Sequence, residues 1–287
     1  MALDHLGWIV PDLEAGRRAW ERLGFTISRP NRQEGYTGPD GALEPWASAN
    51  RIVAFEQGYL ELIGIVDEAA FNPWTTYLAR GAGPHIAAFR VQNADSAYPK
   101  LAVEGLDPPV QRRRKAALGR EESDGSIDMG FRNIFSQDAH WPEGRYIVIE
   151  HETPEAIWQP DMLEHTNGVT GLIQALFVSD DPENAACRIE ALKGDQSKGA
   201  GWLNKADDER SVAILSNAAF AERFPEAPPP SRPAVAGCLL RVASMAKLER
   251  CMKDAGVAVH RSDDGLAYVA GADTAGGLIA FTEGDAP

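Results

Sequence analysis

The sequence predicts an α+β chain built from four βαβββ modules paired into two domains, and three observations carry that reading. One plan, an apolar strand followed by an amphipathic helix and further strands, begins near residues 3, 84, 170 and 236. The first helix opens at Pro11-Asp12 and the third at the cap Asp181, and Gly24, Gly105 and Gly194 suit helix ends. A single unit of this size cannot cover both faces of its own sheet, so the units must pair.

In the first copy the strand "HLGWIV" leads into Pro11-Asp12 and the helix "DLEAGRRAWERLG", where Leu13, Gly16, Trp20 and Leu23 fall at helical spacing and Gly24 suits the end. Strands are expected at "FTISR", "RIVAFE" and "YLELIGI". The second copy offers "HIAAFRV", a helix near "ADSAYPKLAVEG", then "GFRNIFS" and "RYIVIEHE". The third has "LIQALFV", the helix "DPENAACRIEALKG" with Asp181 as cap, Pro182 in the first turn and Gly194 beyond the end, and "SVAILS". The fourth has "GCLLRV", "SMAKLERCMKDAG", "VAVHR", "LAYVA" and "GLIAFTE". Residues 1–152 and 170–287 then form the two domains, with 153–169, rich in Pro, Asn-Gly and polar residues, as connector. The proline-rich "FPEAPPPSRPAVAG" reads as an extended link between the last two copies.

Twenty-eight basic against 42 acidic residues leave a net charge of −14, which disfavours nucleic acid and anionic membranes and favours a small-molecule partner. Cys187, Cys238 and Cys251 are odd in number and far apart, so neither a disulfide framework nor a cysteine zinc site is indicated. The start of the chain shows no basic, apolar leader and no run approaches a spanning length, which reads as cytoplasmic. A homodimer is left open.

Equivalent positions in the copies carry the chemistry. His5 and His85 stand near the start of the first strands of copies one and two, and Glu61 and Glu150 stand in their last strands. A carboxylate inside an apolar strand is costly to bury unless it is paired or bound to a cation. One histidine and one acid per copy would hold a single divalent metal between the paired modules. Nitrogen and oxygen donors of this kind suit Zn, Ni, Co, Mn or Fe(II). The acid-rich "IEHE" also offers His151 and Glu152; Glu150 and Glu152 share one strand face.

The stretches "LDHLGWIVPDLEAGRRAWERLGF", "ANRIVAFEQGYLELIGI" and "ETPEAIWQPDMLEHTNGV" resemble the vicinal oxygen chelate superfamily, and within it the bacterial glyoxalase-like domain proteins. The resemblance is strong over about the first 170 residues. It implies two glyoxalase/dioxygenase-like domains, a metal held by His5, Glu61, His85 and Glu150, and lyase or isomerase chemistry in which Glu150 or Glu152 moves a proton. A non-catalytic binding protein of the bleomycin-resistance type and an extradiol-type dioxygenase are the alternatives. The two histidines and glutamate that such dioxygenases hold in their second half are absent, since that half offers only Gln174 and a lone Glu283.

His165 and Asn167 in "EHTNGV" could reach a substrate from the connector or simply cap a turn. The run "RRRK", with Arg113 at its centre, falls in the segment 106–130, which reads either as a solvated loop or as a lid over an anionic substrate.

Overall fold

The computed structural model describes residues 1–37, 43–101, 103–192 and 211–284. Strand β1 (Ala2–Val10) stops at Pro11, and Asp12 then starts α1 (Leu13–Arg22) by accepting from the amides of Glu14 and Ala15 at 2.8 and 3.0 Å. The predicted stripe faces inward, with Leu13, Gly16 and Trp20 buried. The chain turns at Gly24, whose φ of 85° favours a residue without Cβ.

"FTISR" is not a strand. That segment is an irregular link whose groups bond elsewhere, Thr26 to His165 and Ser28 to Ile52, and the pairing strand is β2 (Asn31–Tyr36). β3 (Leu43–Ala54) and β4 (Tyr59–Ile65) complete the first module. After the short α2 (Thr75–Leu78), the second module runs β5 (Gly83–Arg90), α3 (Ala94–Ala97), β6 (Val110–Ala117), β7 (Ser126–Phe135) and β8 (Arg145–His151). The segment expected as loop or lid therefore contains an edge strand, β6, paired antiparallel to β7 with Arg112 opposite Phe131 and Arg114 opposite Met129.

These eight strands make one sheet in the order β2-β3-β4-β1-β5-β8-β7-β6. The two modules meet where β1 pairs antiparallel with β5, and in each module the first strand runs parallel to the last. The sheet curls until its edges approach, and the Ala117 amide at the end of β6 donates to Asn31 Oδ1 on β2 at 2.7 Å. The result is a cup. Its concave face is lined by residues such as Ile52, Tyr59, Ile63, Ile86, Ile147 and Ile149, while Leu6, Trp8, Leu60, Leu62, Phe89 and Val148 point to the other side and join the main core.

The second half forms a six-stranded sheet, β10-β9-β11-β14-β13-β12. β9 (Val169–Val178), α4 (Pro182–Ala191), β10 (Ser211–Leu215) and α5 (Asn217–Arg223) come from the third copy. β11 (Ala234–Val242), α6 (Met245–Asp254), β12 (His260–Arg261), β13 (Ala267–Ala270) and β14 (Leu278–Thr282) come from the fourth. Asp181 caps α4 by accepting from the Asn184 amide at 3.1 Å; the expected Gly194 lies outside the described residues. Leu172, Phe177, Cys238 and Leu240 of this half share one core with the convex face of the cup. The indoles of Trp8 and Trp20 donate across that junction to the carbonyls of Gly276 and Thr274 at 2.7 and 2.9 Å. Among the described residues no helix is long and apolar enough to cross a membrane.

Candidate functional site in the N-terminal cup

The cup encloses about 950 Å3 of space, including the part open to solvent, and the first module supplies its polar floor. β1 carries a bulge at Asp4, between the paired positions Leu3 and His5. The bulge lets two consecutive polar side chains cooperate: Asp4 is fully buried, and its Oδ1 accepts from His5 Nδ1 at 2.8 Å, so the other imidazole nitrogen, Nε2, is left to the cup. Asp4 Oδ1 also accepts from His151 Nε2 at 3.1 Å, and Oδ2 accepts from Arg90 Nε. Burial pushes the Asp4 carboxyl up, but hydrogen bonds and charge from His151 and His5 outweigh it, and the group stays ionised far below the usual carboxylate range. The His5 ring stacks on Tyr59, with centroids 4.2 Å apart.

Glu61 lies beside His5 because β4 runs parallel to β1 with Gly7 opposite Glu61. Its Oε2 is 3.9 Å from His5 Nε2, and its Oε1 accepts from Asn50 Nδ2 on the neighbouring β3. His5 and Glu61 are thus brought together, as the repeat pattern implies.

The other two expected ligands are not brought to them. Asp12 caps α1 seven residues after His5, and Asn93 caps α3 seven residues after Ile86, so the counterpart of His5 is Ile86. His85 is one place out. It is the unpaired residue of a second bulge, on β5 between Pro84 and Ile86, and does not line the cup; its Nε2 donates to the Gly81 carbonyl at 2.8 Å and burial pulls its pKa down. The same register settles the acid: Gly7 faces Glu61 in the first module, Ala88 faces Ile147 in the second, and Ile147 is the counterpart of Glu61.

Glu150 and Glu152 do share a face of β8, and it is the outer one. Glu150 Oε2 accepts from the Ala94 amide at 2.8 Å and caps α3. Glu152 sits at the rim with Gln111 and Arg113, and Arg113, 75% exposed, meets it at 3.3 Å. The residue between them, His151, faces the aromatic wall of Tyr59, Phe131 and Trp158; its Nδ1 is buried with no partner among the described residues.

His165 and Asn167 build the connector. His165 Nδ1 accepts from the Thr26 amide at 3.0 Å, and Nε2 donates to the Ala54 carbonyl at 2.9 Å. Burial lowers its pKa to about 4. Asn167 is fully buried, donating to the Leu23 carbonyl and accepting from the Val169 amide. Both ring nitrogens of His165 are engaged, and Asn167 is wholly enclosed, so both side chains hold the connector in place.

A divalent ion held by nitrogen and oxygen donors takes at least three protein ligands. Of the module-equivalent positions only His5 and Glu61 carry donors, Ile86 and Ile147 do not, and His151 spends Nε2 on Asp4. Among the described residues no group of three His, Cys, Asp or Glu side chains is placed to hold an ion. The donor set does not fit the resident metal that the superfamily resemblance implies.

The sequence gives little sign of the rest of the cup. Asp4 looks like an interruption of an apolar run, and Asn50 is a lone amide. Arg112 and Arg114 are hidden in a charge run, although their alternate spacing is the signal that would place both on one strand face. With Arg145 at the start of β8, they line the second-module side of the cup.

Comparison with known proteins agrees with this architecture. A hypothetical protein from Staphylococcus aureus superposes with a TM-score of 0.64 at 9% identity, over 98% of both chains. A mutant of 4-hydroxymandelate synthase from Streptomyces coelicolor gives a TM-score of 0.53 at 12% identity, over 91% of this chain and 77% of that one. A fusion of a xylose isomerase-like TIM barrel with 4-hydroxyphenylpyruvate dioxygenase gives 0.50 at 11% identity, over all of this chain and 49% of the fusion. At these identities the likeness is one of fold. No curated protein matches. The family model for the glyoxalase-like domain matches residues 3–193, two thirds of the sequence and the whole of the cup. The chain belongs to the glyoxalase-like domain family, a branch of the vicinal oxygen chelate superfamily.

Proposed function

We propose that the protein acts on a small molecule bound in the N-terminal cup, in a lyase or isomerase reaction, with His5 as the base that accepts a substrate proton and without a resident metal. The observation that supports this reading is the Asp4–His5 pair opening onto Glu61. A buried carboxylate on Nδ1 fixes the neutral tautomer with its lone pair on Nε2 and stabilises the imidazolium that forms when Nε2 takes a proton. Glu61 Oε2, 3.9 Å away, is near enough to take the proton on or return it at a neighbouring atom of the same substrate. Asn50 holds that carboxylate in place.

A second reading, a binding protein that sequesters its ligand, is favoured by Ile86 and Ile147, which make half of the cup floor apolar. An extradiol-type dioxygenase finds less support, because Glu283 of the second half accepts from the Met245 amide at the start of α6.

Two measurements on the same preparations test the proposal. Elemental mass spectrometry on protein purified without chelator should find far less than one metal per chain; one metal per chain, lost in both His5→Ala and Glu61→Ala, would overturn the metal-free mechanism. NMR in D2O across 2-oxo acids, 2-hydroxy acids and diketones should show C–H exchange that His5→Gln abolishes. Exchange that survives His5→Gln removes His5 as the base, and no exchange with any compound turns the assignment to sequestration.

A further inference from the structure

Resting on the reading of the cup as a small-molecule site, we infer that its ligand carries an anionic oxyacid group, a carboxylate or a phosphate, on an apolar body, and that Arg112, Arg114 and Arg145 seat that group.

The first support is a charge imbalance. In a chain of net charge −14, Arg17, Arg32, Arg51, Arg90 and Arg132 each hold a carboxylate. Arg112, Arg114 and Arg145 line one cavity, and among the described residues none of them has a carboxylate partner. Of the acids that share the cavity, Glu61 is engaged by Asn50, and Glu34 is exposed and forms no ion pair with them.

The second support is how the three are held. Arg112 and Arg114 alternate on β6 and so point the same way, while Arg113 between them points out. Arg145 and Arg112 both lie over the Phe135 ring, at 4.6 and 5.9 Å, and Arg114 lies over Phe131 at 5.0 Å. Aromatic faces fix guanidinium planes without neutralising them. The gathering of like charges has a cost: burial, then the nearby Arg145 and Arg114, lower the pKa of Arg112.

The third support is unspent hydrogen bonding. Nε of Arg114 and Nε of Arg145 are buried donors without partners, and Asn133 Oδ1 in the same cavity is a buried acceptor without one. An oxyacid group accepts from both guanidiniums, in the geometry for which a guanidinium is suited. A hydroxyl or amide on the ligand would serve Asn133. Trp46, Ile52, Tyr59, Ile63 and Trp74 present mostly apolar surface on the rest of the wall and suit a flat or branched hydrocarbon body.

The test is direct binding, followed by the fluorescence of Trp46 and Trp74 and by calorimetry, with benzoate, phenyl phosphate and neutral benzamide as probes. Benzoate or phenyl phosphate is expected to bind saturably and at least about tenfold more tightly than benzamide; the tighter of the two identifies the oxyacid. Arg114→Gln and Arg145→Gln should each weaken that anion about tenfold or more, and Arg114→Lys, which keeps the charge, should recover part of the loss. Benzamide binding as well as the anions, no saturable binding of either anion at millimolar concentration, or unchanged affinity in both glutamine variants with folding intact would each overturn the inference. Binding without His5-dependent C–H exchange removes only the proposed reaction; exchange without anion selectivity removes only the arginine site.

Discussion

Asp4 stands directly behind His5, accepting the Nδ1 proton at 2.8 Å while it also receives Arg90 and His151. One buried carboxylate thus satisfies three donors. Asp4→Asn offers Nδ1 an amide in place of an anion, so the imidazolium loses its support; C–H exchange should fall by about 10²-fold or more while the fold survives. Asp4→Ala leaves Arg90 and both histidines without their acceptor and should cost about 3–5 kcal/mol in urea unfolding. Equal stability of Asp4→Ala and wild type would show that the cluster does not hold β1.

His165 predicts how stability depends on pH. Its folded pKa of about 4 lies below the ordinary 6.5, so the unfolded chain binds the extra proton more readily. The neutral ring contributes fully above pH 6.5, and that contribution is lost as pH falls toward 4. The protonated ring would set an N–H against the Thr26 amide. Unfolding free energy should drop by up to about 3 kcal/mol from this group between pH 7 and 4. His165→Gln should flatten that part of the profile, and an unchanged slope would remove His165 as its source.

Ile86 and Ile147 predict a gain of metal. Ile86→His with Ile147→Glu adds a donor at each counterpart of His5 and Glu61. The double variant should take up about one Co(II) per chain, with the visible bands of a nitrogen and oxygen site, where wild type takes none stoichiometrically. Without metal it should be less stable by about 1–3 kcal/mol per substitution, because each places a polar group in an apolar floor. A folded double variant that still ignores cobalt would show that the modules are not superposable at these positions.

Glu143 ties the two sheets together. It is almost fully buried, with Oε1 accepting from Ser179 Oγ at 2.8 Å and Arg188 Nη2 at 2.7 Å, both from the second half. Arg188→Ala strands that carboxylate and should cost about 3–5 kcal/mol, whereas Arg188→Ala with Glu143→Gln should recover part of the loss. No recovery in the double-mutant cycle would mean that the guanidinium matters through packing alone.

Helix spacing and caps were legible in the sequence because they are local: the stripe of Leu13, Gly16 and Trp20, and the starts at Asp12 and Asp181, need only neighbouring residues. Pairing of His5 with Glu61 was legible because two strands of one repeat carry it. Which way a strand residue points was not. His85 is the unpaired residue of the β5 bulge, as Asp4 is of the β1 bulge, so aligning the repeats on their histidines is one place out, whereas aligning on the helix caps sets Ile86 against His5. In "IEHE" the acids stand out, yet pleating gives the inner face to His151. Strand β6 is hidden because an edge strand of alternating arginines shows no apolar period until β7 and the cup are in place.

The cup also has a handedness of content. Two modules of matching backbone meet at β1 and β5, yet one contributes a histidine and a carboxylate and the other contributes two isoleucines and the arginines. A symmetric bowl would admit a flat ligand in either of two orientations related by half a turn. A ligand seated as proposed would take a single orientation here, with its charge toward the arginines and one face toward His5. A reaction at a carbon held that way would remove or deliver hydrogen from one side only, so the product of a prochiral substrate would be a single stereoisomer.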